Sequence, residues 1–230
     1  MIAALVEACA AAGFDLHATA AVADYNVRVP DDLRLPDLGR PRALVVVVGN
    51  TRALWPRFVA ALAADATLAA AADPLDRYTE HALTAIAART VPARHEVRFA
   101  HEAPPRRFAI QRLAEVAGLA AVSPSHLSVH PVYGPWIALR AALVVDVDGP
   151  LPRPPPRLPC ACAVGCQAAF DAALAAGPPR DGAELRTRWR AWLAVRDACP
   201  VGRGHRYDDI QCSYHYTGDR ATLADVPIPR

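Results

Sequence analysis

The chain contains no lysine, so every one of its 25 basic residues is an arginine. Schiff-base catalysis needs a lysine amine, and the phosphate-cradling G-x-x-x-x-G-K-[ST] loop needs one too, so both are excluded. The G-x-G-x-x-G dinucleotide fingerprint is missing, which argues against NAD chemistry in its usual fold. The G-x-S-x-G elbow is missing as well, and the isolated Ser125/His126 pair does not read as a hydrolase. No stretch reaches the roughly 20 apolar residues needed to cross a bilayer. The apolar opening, MIAALVEACAAAGFDL, has no charged leader and carries Glu7 inside the run, so it reads as a helix ended by Gly13 and not as a signal peptide. A net charge of +2 is spread along the chain, leaving no basic tail or patch for nucleic acid. These absences predict a cytoplasmic protein with neither a membrane nor a nucleic acid as partner.

What is present is an alternation of strand-like and helix-like stretches. Ala43 to Val48, ALVVVV, is a continuous apolar run bounded by turn residues, the pattern of a central strand. Thr51 stands where it could cap the following helix, and Asp73-Pro74 begins another with proline at its first position. Ala18 to Val29 reads as extended, His95 to Ala100 as a strand, and Pro104 to Gly118 as a helix. Leu127, Val129 and Pro131 alternate with polar residues as in a half-buried strand. Tyr133, Gly134 and Pro135 supply a turn, and Trp136 to Val147 reads as a strand buried on both faces. There is no regular βαβ repeat, so the expected class is α+β with a mainly antiparallel sheet. The polyproline-like stretch Pro150 to Pro159 is the best internal boundary. It divides the chain into an α+β core, residues 1–150, and a linker with a helical cap, residues 151–230. The cap holds helical patterns over Cys166 to Ala176, Glu184 to Ala198 and Tyr207 to Tyr216.

Three groups of residues could carry chemistry. Cys160, Cys162, Cys166 and Cys199 do not follow the C-x-x-C-x-x-C-x-x-x-C-P spacing of ferredoxin clusters, so no iron-sulfur cluster and no metal is expected; reduced thiols are. His126 and His130 lack the HExxH glutamate and read as structural. Arg140 lies inside an apolar run, and a buried guanidinium must find an anion or several acceptors. Asp146, Asp197 and Asp219 are the carboxylates that could pair structurally with Arg140, Arg196 and Arg220. Trp189 and Trp192 share a helix face, the ordinary sign of packing.

A resemblance gives these residues a setting. HPVYGPWIALRAALVV, from His130, is similar to the HPRFGGWFAIRGVVLL segment of the CblC family, the methylmalonic aciduria and homocystinuria type C proteins. VADYNVRVPDDLRLPDLGRPRALVVVV from Val22, DPLD from Asp73 and RWRAWLAVRDA from Arg188 resemble further segments of that family in the same order, covering most of the chain. Ala109 to Leu139 also resembles epoxyqueuosine reductases, which are cobalamin enzymes too. The resemblance implies a flavin nitroreductase-like sandwich and a cobalamin-binding enzyme of the dealkylase and cyanocobalamin reductase type. Such a protein removes the upper axial ligand by passing an alkyl group to a thiol or by reductive decyanation, with FMN or FAD as electron source. It implies that Arg140, Arg196 and Arg220 bind glutathione, whose carboxylates suit guanidinium forks. It places Tyr133, Gly134, Pro135 and Trp136 at the corrin, along with Val122 and with Glu115, which stands where the family has a histidine. A reductive enzyme nearer to epoxyqueuosine reductase or the dehalogenases, and a non-catalytic corrinoid carrier, are the alternatives. The resemblance leaves homodimer formation open.

Overall fold

The computed structural model describes residues 1–154, 157, 165–175, 177 and 182–223. Its elements are α1 (Ile2–Ala11), β1 (Leu16–Ala21), α2 (Val22–Asn26), β2 (Ala43–Asn50), α3 (Leu54–Ala64), α4 (Ala66–Ala70), α5 (Pro74–Thr90), β3 (His95–Phe99), α6 (Ile110–Val116), β4 (Ala121–Val122), β5 (Ser128–Val129), β6 (Ala138–Asp148), α7 (Gly165–Ala175), α8 (Gly182–Thr187), α9 (Trp189–Asp197) and α10 (Asp209–Thr217). They fall into two compact units, Met1–Ala121 with Ala138–Arg157, and Val122–Ile137 with Leu158–Arg230. Residues 122–137 thus leave the sheet and group with the C-terminal third.

The first unit is built on a four-stranded sheet of order β1-β2-β6-β3, antiparallel throughout. Two apolar, valine-rich runs of the sequence take its centre, because only a strand covered on both faces can bury consecutive valines. All of β2 is buried, as is Ala141 to Val145 of β6. Val45, Val47, Ala142 and Val144 face a core with Tyr25 of α2 and Leu113 of α6. The alternate residues Val48, Ala141 and Leu143 face Leu5 and Cys9 of α1 and Leu83 of α5. The sheet is therefore a layer between helices, as its period-two alternation requires.

Three local expectations change. The extended stretch expected from Ala18 stops at Ala21, and Val22–Asn26 is helical. Val22 and Tyr25 are three apart, and the helical turn buries both of them completely. Asn26 then grips the backbone of Leu35 through both amide atoms, each at 2.9 Å, and fixes the Pro-rich loop. The helix expected from Pro104 begins only at Ile110. Before it, Arg106 reaches Glu102 and Glu96 at 2.8 Å each and the Val97 carbonyl at 2.7 Å, holding that loop against β3. Thr51 is not the N-cap of α3, which starts at Leu54; its amide and hydroxyl donate instead to Asp15, at 2.7 and 2.6 Å.

Tyr25 offers a direct check on this packing. Its phenol donates to the Leu33 carbonyl at 2.9 Å and accepts from the Ala109 amide at 2.8 Å. Tyr25→Phe strands both backbone groups, so a loss of about 1–3 kcal/mol is expected in chemical denaturation.

In the second unit, the single helix expected over Glu184 to Ala198 is two, α8 and α9, separated at Arg188. Arg188 turns its guanidinium onto the Ala173 carbonyl, at 2.6 Å, and onto the Gly177 carbonyl, which satisfies acceptors at the end of α7. Trp136, Leu193, Tyr207 and Cys212 form this unit's core.

Candidate functional site

The turn that the sequence places before β6 is the best-braced feature of the second unit. His130 and Gly134 exchange two backbone hydrogen bonds of 2.9 Å, closing a tight loop. His130 Nδ1 accepts from the amides of Val132 and Tyr133, at 3.1 and 3.3 Å, which ties the ring to the turn. Gly134 has φ +59°, and a Cβ there would lie 1.9 Å from the Val201 carbonyl oxygen. Gly202 answers it: a Cβ there would lie 2.2 Å from the Tyr133 carbonyl. Two glycines are needed because two backbones touch.

Arg196, on α9, locks the turn from the other side. Its Nε and Nη2 donate to the Pro135 carbonyl at 3.2 and 2.6 Å, and Nη2 also to Ile137 at 3.3 Å. The guanidinium lies 4.7 Å from the Trp136 ring centre and 5.1 Å from that of Tyr207. Arg206 approaches Trp136 at 5.5 Å and is held by Asp197 at 2.8 Å and Asp209 at 2.9 Å. Trp136 is 1 % exposed and meets Tyr207 edge-on at 5.7 Å. The structure thus brings Tyr133, Gly134, Pro135, Trp136 and Arg196 together.

Arg140 belongs to the first unit. The β2–β6 register steps from Val48↔Ala141 to Gly49↔Leu139, which makes Arg140 the extra residue of a β-bulge. Its Nε donates at 2.8 Å to Oδ1 of Asn50, a fully buried side chain whose own Nδ2 donates to the Thr51 carbonyl. The bulge brings the strands close, since a Cβ on Gly49 would lie 2.6 Å from the Ala138 carbonyl. β3 pairs with β6 from Ala141 to Val145, the Ala100 amide also donates to the Arg140 carbonyl at 2.8 Å, and Ala138 and Leu139 are half-buried.

The remaining expected residues are dispersed. Glu115 pairs with Arg112 one turn earlier on α6. Val122 is half-buried in β4, and Arg220 starts a short 3₁₀ turn, Arg220–Leu223. The aspartates offered as structural partners are engaged elsewhere: Asp146 with Arg40 at 2.8 Å, Asp197 with Arg206, and Asp219 with the Ala221 amide at 2.9 Å. His126 has φ +61° and packs on Phe170 at 5.4 Å. Trp189 stacks on Tyr216, and Trp192 meets Phe170 edge-on. Asn50, Gly202, Arg206 and Tyr207 were not singled out by the sequence. Only the glycine spacing in VGRGHRY could have flagged any of them.

Cys160 and Cys162 lie outside the described residues. Among the described ones, Cys9, Cys166, Cys199 and Cys212 are all buried, and no group of three or more His, Cys, Asp or Glu could hold a metal. Burial pushes Cys9 and Cys212 from the ordinary 9.0 up to about 11, although Arg206 pulls Cys212 partly back. Both should resist iodoacetamide at pH 8 in the folded protein and react on unfolding. The fold favours the neutral thiol, so this contribution is complete below about pH 9 and is lost as the pH rises toward 11. Reaction of either thiol in the folded protein at the rate of a free thiol would contradict it.

No family model matches the sequence, and neither does any curated protein. Solved structures do match. What they share with this chain is a mixed α+β fold with an antiparallel sheet between helices. The C. elegans B12-trafficking protein CblC, a homologue of human MMACHC, superposes with a TM-score of 0.73 at 17% identity, covering 96% of this chain and 93% of that one. The chain has the CblC fold, in agreement with the resemblance read from its motifs. Epoxyqueuosine reductase from Streptococcus thermophilus gives 0.54 at 11% identity, covering 90% of this chain and 68% of that one. A selenomethionine-labelled epoxyqueuosine reductase gives 0.54 at 14%, with 89% and 66% covered, so the chain spans about two thirds of that enzyme.

Proposed function

We propose that this protein binds cobalamin as its substrate and removes the upper axial ligand, by thiol-dependent dealkylation or by decyanation with electrons from a reduced flavin. The observation that carries the reading is the CblC likeness over 96% of the chain, end to end, in a sequence that repeats that family's motifs in order. In dealkylation the thiolate takes the alkyl group, forming a carbon–sulfur bond. The electron pair of the cobalt–carbon bond stays on the metal, and the thiol proton goes to solvent. The chain's contribution is orientation and exclusion of water, with Arg140 as the cation offered to a carboxylate of the thiol.

The test is methylcobalamin with glutathione under anaerobic conditions. One S-methylglutathione per methylcobalamin consumed is expected. Binding without turnover would instead make the chain a carrier. Iron with acid-labile sulfide in anaerobically purified protein would favour an enzyme nearer to epoxyqueuosine reductase. Arg140→Ala should lower kcat/KM for glutathione by about tenfold or more, the worth of a lost charge-assisted bond, and leave cobalamin binding within about twofold.

A further inference from the structure

We infer that Arg196 is a positioning residue that holds the Tyr133–Ile137 turn for the dealkylation proposed above, an inference that rests on that reading, and that it does not grip the thiol's carboxylate. Gripping a carboxylate bidentately takes two parallel N–H groups on one edge of the guanidinium. The edge formed by Nε and Nη2 is closed by the Pro135 carbonyl, at 3.2 and 2.6 Å, with Ile137 at 3.3 Å. The ring centres of Trp136 and Tyr207, at 4.7 and 5.1 Å, stand over the guanidinium plane. Tyr216 feels the same cation: its phenol is pushed up by burial and drawn partly back by Arg196. The acidic neighbour is diverted too, since Asp197 faces Arg206. What remains is a cation that binds backbone carbonyls at the point where the turn enters the sheet.

This geometry needs a planar fork. Lysine keeps the charge but gathers its three donors on one nitrogen and has no flat face, so it cannot stack on indole while holding both carbonyls in the arginine's geometry. Arg196→Lys therefore separates the two roles, since a carboxylate grip survives in part on charge alone and the turn does not.

The experiment compares the wild-type chain with Arg196→Lys and Arg196→Ala in two readouts. The first is amide exchange at Gly134 and Trp136, whose N–H groups are bonded at 2.9 and 3.1 Å to His130 and Tyr133. Both variants should lose about tenfold or more in protection there, the worth of one or two charge-assisted hydrogen bonds; unchanged protection overturns the inference. The second is methylcobalamin dealkylation with glutathione and with 2-mercaptoethanol, a thiol without carboxylates. The expected result is an equal fall in kcat for both thiols, with the KM for glutathione and the preference for it unchanged, and no rescue by lysine. Loss of that preference, partly restored by lysine, would make Arg196 a clamp and overturn the inference. A lower melting temperature with unchanged turnover per folded molecule would reduce it to a merely structural residue and overturn it as well. If wild-type protein neither binds nor turns over methylcobalamin, the functional reading above fails, while the exchange measurement still decides whether Arg196 holds the turn.

Discussion

Replacing Gly134 by alanine is expected to lower the melting temperature by on the order of 10 °C. The new Cβ would lie 1.9 Å from the Val201 oxygen and 2.6 Å from its carbonyl carbon, and both atoms are backbone, so no rotamer change relieves the clash. A non-glycine residue held at φ +59° adds strain of about 1–3 kcal/mol, and overpacking a close contact adds about 1–3 kcal/mol more. At this chain length each kcal/mol moves the midpoint by about 2–4 °C. Gly202→Ala should behave alike, because its Cβ would run into Tyr133 at 2.2 Å. Gly118→Ala is the control: it has φ +77° with nothing within 4 Å, so it bears the strain without the collision. Equal melting temperatures for Gly134→Ala and Gly118→Ala would show that the turn does not rest on the Val201–Gly202 backbone.

Trp136→Ala should cost about 3–5 kcal/mol in chemical denaturation, the range for deleting a buried tryptophan. The indole is 1 % exposed and fills the space between Leu193, Tyr207 and Cys212. It also gives up two cation–π contacts, with Arg196 at 4.7 Å and Arg206 at 5.5 Å. Trp136→Phe keeps a ring under Arg196 and should fall between. Trp189→Ala, at a half-buried indole stacked on Tyr216, should cost less. A Trp136→Ala loss no larger than that of Trp189→Ala would mean that Trp136 does not anchor this unit.

The sheet was legible in the sequence because its signal is local. ALVVVV and ALRAALVV read as covered strands, and the structure makes them the central pair β2 and β6. The turn before β6 was legible too, through Tyr133, Gly134 and Pro135. The partners of these residues were not. Gly134 meets Gly202, and Arg196 meets Pro135, across more than sixty residues, and no periodicity encodes such pairings. Arg140 stood out as a charge in an apolar run, but the bulge that makes it the extra residue depends on β2 register, which one strand's sequence does not hold. The helix over Val22–Asn26 escaped because five residues are too few to show a 3.6-residue period.

The most direct measurement is a titration of the purified chain with methylcobalamin, followed by visible absorption at micromolar concentrations. Saturation near one equivalent, with the spectrum moving to that of cobalamin whose lower base has left the metal, is the expected result. A spectrum that stays that of free methylcobalamin as protein is added in excess would contradict the account, whatever the likeness of the folds.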